Sequence, residues 1–420
     1  MNLSEFILSS PTPFHAVDTA KKMLEEQGFT ELKESENVNV VPEGKYFVTR
    51  NLSSIIAFKI PKGEFSGFMI SAAHSDSPAF KIKENSEMTD DNYVRISSER
   101  YGGMLCSTWL DRPLSVAGRV IVKTEKGVES RLVDLKEPVA IMPNVAIHMN
   151  RNANSGAVYD FAVDMIPLMR LAGSGQTLKS RIAENAGVSE NSLLSWDLIL
   201  YNPEKPVIWG DFITSPRLDD LQCAYASLAA FLKSKNEKSA AVYALFDNEE
   251  VGSETKQGAA STFLFDTLLR IAGAKLRQKL ASSMLASCDN AHAIHPNHPE
   301  YADKNHTAKL NGGVVIKYNA NQKYTSDGVS TALFALICQK AGVKVQYYAN
   351  RPDMAGGSTL GNISNTQVSL NAVDIGIAQL AMHSALETAG KDDTDSFVSA
   401  LTAFFSSSVQ FESDGTYTLV

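Results

Sequence analysis

Residues 240–246, Ala-Ala-Val-Tyr-Ala-Leu-Phe, form an unbroken apolar run that ends in Asp247-Asn248-Glu249-Glu250-Val251-Gly252. A run of this length reads as a buried strand. An open α/β sheet presents its chemistry at the carboxyl ends of such strands. Two adjacent glutamates in a cleft repel one another and need a cation or a proton. A metal site would meet that need, with one glutamate as ligand and the other free as a base. Taken alone, a Glu-Glu pair is far more often a solvated loop. It gains weight only if other ligand types end other strands.

They do. Residues 67–73 are a second short apolar run, and it ends in His74-Ser75-Asp76-Ser77-Pro78. His74 and Asp76 fall on one side of an extended segment, where a carboxylate can orient a ligating imidazole. A third run, 283–288, leads to Asp289-Asn290-Ala291-His292. Asp219, in Pro216-Arg217-Leu218-Asp219-Asp220-Leu221, precedes the helical pattern Leu221, Ala224, Leu228, Phe231. His383 follows the mostly apolar stretch 373–382. Asp219 at a helix entrance can equally be a cap, and each lone residue has a structural reading. Together, His74, Asp219, Glu249, Glu250, Asp289 and His383 make a set of imidazoles and carboxylates without thiolates, which suits Zn, Mn or Co. Two metals about 3.5–4 Å apart would need a shared carboxylate. Five ligands plus one free base are a chemically complete set.

In order and spacing these motifs resemble the M18 aminopeptidases, the aspartyl aminopeptidase family of di-metal exopeptidases. The resemblance covers essentially the whole chain, from Ser10-Pro11-Thr12-Pro13-Phe14-His15 through Ala73-His74-Ser75-Asp76 and Asp247-Asn248-Glu249-Glu250 to Lys317-Tyr318-Asn319-Ala320-Asn321-Gln322-Lys323-Tyr324, Gly357-Ser358-Thr359-Leu360-Gly361 and Met382-His383-Ser384. It implies that Asp219 bridges two divalent ions, zinc first among Zn, Mn and Co. One ion would take His74, Asp219 and Asp289, the other Asp219, Glu250 and His383. Glu249 would be the general base and Asp76 would orient His74. The family has Asn where this chain has Asp220, and the residues leave open whether that acid sharpens metal affinity or points elsewhere. The resemblance also makes His148 a residue donated into a neighbouring subunit's active site, the alternative being a buried strand histidine. Lys317 and Tyr324 become readers of the substrate. A lysine ending the buried strand 313–316 is costly without an anionic partner. An acidic N-terminal side chain of a peptide is the partner expected, with a snorkelling surface lysine as the alternative.

The whole chain sets bounds on these readings. At 420 residues it exceeds one typical domain. A net charge of −8 and a pI near 5.6 argue against nucleic acid or an anionic membrane as main partners. No apolar run approaches the ~20 residues of a spanning helix. The first residues lack a signal core, and four scattered cysteines suggest a reducing cytoplasm. The pattern predicts a helix over 13–27 closed by Gly28, strands at 46–48, 55–60 and 68–73, and a last helix near 395–405. Between them, 80–210 alternates short β-like runs, such as 114–122 and 139–142, with turns.

The expected fold is therefore α/β, a mixed-sheet di-metal exopeptidase domain (1–79 and 216–420) interrupted by a β-rich dimerisation domain (80–215). The resemblance implies dimers that assemble to a dodecamer. The expected activity is a metallo-aminopeptidase acting on peptides, with acidic N-termini preferred. Two alternatives are a carboxypeptidase or deacylase with the same ligands and a catalytically silent scaffold. A nucleotide-binding reading fails because Gly102-Gly103 and Gly312-Gly313 lack the spacing of a phosphate loop.

Overall fold

The computed structural model describes residues 1–37 and 39–420. Its centre is the strand Gly67–His74, every residue of which is buried. Side chains alternate across a strand, and here both faces are covered. Phe68, Ile70 and Ala72 join one apolar core, built with the helices Phe263–Ala272 and Leu360–Gln367. Met69 and Ala73 join the other, built with the helices Pro13–Glu26, Leu218–Lys233, Gly328–Lys340 and Asp393–Ser406. A strand buried on both faces tolerates a continuous apolar run, which is why residues 67–73 and 240–246 show no polar alternation.

Nine strands form this sheet, in the order Thr30–Glu31, Lys45–Arg50, Ser54–Lys59, Ser239–Phe246, Gly67–His74, Met284–Cys288, Asn371–Gly376, Val314–Tyr318 and Val345–Ala349. The four strands from Ser239–Phe246 to Asn371–Gly376 run parallel. Their carboxyl ends therefore lie along one edge, and the register sets Phe246 directly opposite His74.

A second, six-stranded antiparallel sheet is built wholly from residues 79–201 and has its own core around Phe80, Ile96, Trp109, Val120 and Leu198. It is tied to the first sheet by Arg119. That guanidinium donates to the Asn51 carbonyl at 2.7 Å and lies 4.4 Å from the Phe14 ring centroid. Residues 207–215 behave differently from the rest of the predicted insertion. Phe212–Ser215 pairs with Glu387–Gly390, so this stretch belongs to a third sheet with Ala378–Leu380 and Ala291–His292. The stretch 139–142, expected as a strand, makes only isolated bridges. The predicted helices 13–27 and 395–405 appear as Pro13–Glu26 and Asp393–Ser406. Among the described residues no helix is long and apolar enough to cross a membrane, and all four cysteines are free.

Candidate metal centre

The parallel strands deliver the site. His74 is the last residue of Gly67–His74, Asp289 follows Met284–Cys288, and Glu249 and Glu250 open the turn after Ser239–Phe246. Asp219 enters the helix Leu218–Lys233 with non-helical backbone angles. The two imidazoles approach opposite oxygens of its carboxylate. His74 Nε2 is 3.4 Å from Asp219 Oδ1, and His383 Nε2 is 3.4 Å from Asp219 Oδ2. Asp289 Oδ1 lies 3.8 Å from His74 Nε2, and Glu250 Oε1 lies 3.5 Å from His383 Nε2. Asp219 thus stands between one group holding His74 and Asp289 and another holding Glu250 and His383. Glu249 joins His74 and Glu250 in a third cluster, with potential ligand atoms within 4.8 Å of one another.

The electrostatics of this group leave it able to hold a cation. Burial and the Asp219 charge push the Glu250 carboxyl well above the usual carboxylate range, and burial does the same to Asp220. Asp219 is equally buried, yet His383 and His74 hold it well below that range. Asp219 Oδ1, Asp220 Oδ1 and Glu250 Oε1 are buried without a hydrogen-bond partner among the described residues. Unpaired buried carboxylate oxygens are costly. Here they converge with two imidazoles, a donor set that fits divalent zinc-type ions.

A further layer of hydrogen bonds fixes the candidate ligands. Asp76 does more than face His74, whose Nδ1 is 3.4 Å from Asp76 Oδ1. Its carboxylate accepts the backbone N–H of Glu249 on Oδ1 and that of Glu250 on Oδ2, each at 3.1 Å. It also accepts the Tyr101 hydroxyl at 2.6 Å. Tyr101 closes the inserted sheet's strand Tyr93–Tyr101 and in turn accepts from Asn248 Nδ2 at 2.9 Å. Gly102, at φ +73°, lets the chain pass the glutamates, since a Cβ there would stand 3.1 Å from Glu250 Cβ. Glu387 performs the matching task on the other side. It accepts the Asp219 N–H at 3.0 Å on Oε2 and the His383 N–H at 2.8 Å on Oε1. His383 and Asn248 both hold left-handed backbone angles, φ +66° and +65°. Non-glycine residues in that region cost energy and cluster at functional sites. Asp220 is turned onto the His74 backbone, accepting its N–H at 3.0 Å, and belongs to the same group as His74, Asp219 and Asp289.

Substrate-side expectations divide. Lys317 is buried, so the surface alternative fails. Its anionic partner is supplied by the chain itself. Lys317 Nζ donates to the Asp289 carbonyl at 3.1 Å, to Asp289 Oδ2 at 3.2 Å and to the Asn290 carbonyl at 3.3 Å. Tyr324 lies beneath it, with the ammonium 5.1 Å from the ring centroid. His148 sits in an exposed turn, not in a buried strand, and its side chain makes no hydrogen bond among the described residues. His292 carried no role in the sequence reading. It lies near Lys317, Asp219 and Asp289 at the exposed end of the short strand Ala291–His292.

Comparison with known proteins agrees with this geometry. The family described as "Aminopeptidase I zinc metalloprotease (M18)" matches residues 6–405. An M18 family aminopeptidase 2 of Clostridium novyi is 45% identical over 409 residues, covering 93% of this chain and 94% of its own. Among solved structures, a chain of the cryo-EM structure of the Ape4 and Nbr1 complex superposes with a TM-score of 0.93 at 35% identity, covering 96% of this chain and 84% of that one. The S. cerevisiae mApe1 dodecamer gives 0.84 at 30% identity, covering 96% and 95%. The chain belongs to the M18 family of zinc metallo-aminopeptidases.

Proposed function

We propose that this protein removes the first residue from peptides, with acidic N-termini preferred, using two divalent ions, of which zinc is the first expectation. The observation that carries the reading is the set of partnerless buried carboxylate oxygens on Asp219 and Glu250, each facing an imidazole. His74, Asp219 and Asp289 would hold one ion, and Asp219, Glu250 and His383 the other. When bound, such a pair supplies Lewis acidity and an acidified water.

The chain's own residues do the rest. Burial pushes the Glu249 carboxyl up to about 8, and cations beside it would draw it back toward the ionised form. It is then poised to take a proton from the attacking water and return it to the leaving amine. Asp76 and Tyr101 hold the Glu249 backbone in place for that exchange. The Lys317 ammonium, buried behind Asp289, sets a positive field that favours an anionic first side chain.

The same reading assigns residues 1–79 and 216–420 to catalysis and the inserted sheet to dimer contacts. His148 stands among exposed Val145, Ile147 and Met149, which supports its donation to a neighbouring subunit in a homo-oligomer. A dodecamer like that of the S. cerevisiae neighbour is the assembly expected.

Metal analysis of the purified protein, combined with release of N-terminal Asp, Glu, Leu and Lys from matched substrates, tests the proposal. Two bound ions and faster release of Asp and Glu are expected. Glu249→Gln should retain both ions while kcat falls at least a thousandfold. Near-normal turnover in that variant would remove Glu249 from the role of base.

A further inference from the structure

A cavity of about 300 Å³ is lined by His292, Tyr348, Asn350, Arg351, Gln379 and Ala381 among others. That is within the size range of small-ligand pockets. Its link to the site is His292, which lines the cavity and lies near Asp219, Asp289 and Lys317. The strand Ala378–Leu380 pairs in parallel with Ala291–His292 and sets Gln379 opposite His292, on the same face of the sheet. Gln379 is 1% exposed, and neither its Nε2 nor its Oε1 has a hydrogen-bond partner among the described residues. A buried amide with both ends unpaired calls for a partner from outside the chain.

The cations nearby are already engaged. An ammonium has three N–H bonds, and those of Lys317 are matched by three acceptors, two on Asp289 and one on Asn290. Arg351 forks onto Asp353 through Nε and NH2, and its NH1 donates to the Glu300 carbonyl at 2.5 Å.

We infer that Gln379 is the side chain that contacts the polar end of the substrate's first residue, and that it reads hydrogen bonding and not charge alone. The inference rests on the aminopeptidase reading of the site. Whichever way the amide is turned, it offers two donors and an acceptor. A carboxylate would accept from its N–H groups. A carboxamide would both accept from them and donate to its oxygen. An aliphatic side chain would leave both ends buried and unpaired, the situation in which a pocket rejects a substrate strongly. The class of first residue this pocket takes is therefore Asp, Glu, Asn and Gln together. Lys317 tilts the choice toward the acids by its field.

The test measures kcat/KM of the zinc-loaded enzyme for matched Asp, Asn and Leu anilides, in the wild type, Gln379→Met and Gln379→Glu. Wild type should take Asn within about tenfold of Asp. Gln379→Met should lower the Asp/Leu and Asn/Leu ratios together, each at least tenfold. Gln379→Glu should lower Asp/Leu while sparing Asn/Leu, because a carboxylate repels an acid and still accepts from an amide. Wild-type rejection of Asn by more than a hundredfold relative to Asp would overturn the inference. So would Asp/Leu and Asn/Leu ratios in a folded Gln379→Met that match wild type. Absence of any metal-dependent release of a first residue by the wild type would instead overturn the aminopeptidase reading beneath it.

Discussion

Tyr101→Phe isolates the link between the inserted sheet and the catalytic loop. The substitution keeps the ring and deletes one hydroxyl. That hydroxyl donates to Asp76 Oδ2 at 2.6 Å and accepts from Asn248 Nδ2 at 2.9 Å. A hydrogen bond to a charged group is worth about 1.5–3 kcal/mol and a neutral one about 0.5–1.5 kcal/mol. Together they give a loss of about 2–4.5 kcal/mol. With an unfolding entropy of about 2.1 cal/mol/K per residue, a chain of this length melts with about 0.9 kcal/mol/K, so the expected fall in Tm is about 2–5 °C. The functional effect should be larger. Asp76 would lose one of the bonds that aim it at the Glu249 and Glu250 backbones and at His74, and such supporting contacts carry about 10–100-fold in metal affinity or activity. Scanning calorimetry and steady-state kinetics at saturating zinc would measure both. Tyr93→Phe is the control, since Tyr93 lies on the same strand, is exposed, and its hydroxyl makes no hydrogen bond among the described residues. A Tyr101→Phe enzyme that melts within 1 °C of wild type and keeps kcat within twofold would refute the coupling.

Two further outcomes follow from the same structure. Chelation should lower Tm as well as abolish activity, because three buried carboxylate oxygens without a hydrogen-bond partner would lose the cations this donor set fits. Zinc should restore both, and an unchanged Tm after verified metal removal would contradict the fit. His15 gives a pH signature away from the metals. Burial lowers its pKa from 6.5 to about 4, and its Nδ1 lies 2.8 Å from Thr12 Oγ1. The unfolded chain therefore binds the proton first, so the neutral ring's contribution is intact above about pH 6.5. It is lost as pH falls toward 4, at a cost of up to about 3 kcal/mol. In His15→Phe the urea midpoint should fall less between pH 7 and 5 than in wild type, and an identical fall would dismiss His15 as the titrating group.

What could be read from the residues alone has a physical pattern. His74, Glu249, Glu250 and Asp289 were legible because each polar group interrupts an apolar run, and a buried parallel strand cannot carry such a group except at its end. The helices Pro13–Glu26 and Asp393–Ser406 were legible from their periodicity. Tyr101 and Glu387 were not. Tyr101 reaches Asp76 across 25 positions and Glu387 reaches Asp219 across 168, and the Glu387 acceptors are met by backbone N–H groups that leave no mark on side-chain spacing. Lys317 was recognised as needing an anion, but only the fold shows that Asp289 supplies it. That Phe212–Ser215 joins the third sheet was not legible, because it looks like its neighbours in composition. Its pairing partner, Glu387–Gly390, lies far along the chain.

The order in which the ligands occur has a temporal consequence during synthesis. His74 leaves the ribosome first, while His383 follows 309 positions later, about 15–60 s at ordinary elongation rates of about 5–20 residues per second. Through that interval the growing polypeptide lacks one imidazole of the proposed metal set. A nascent hydrolase of this design stays inert beside other newly made proteins until its own translation is almost finished.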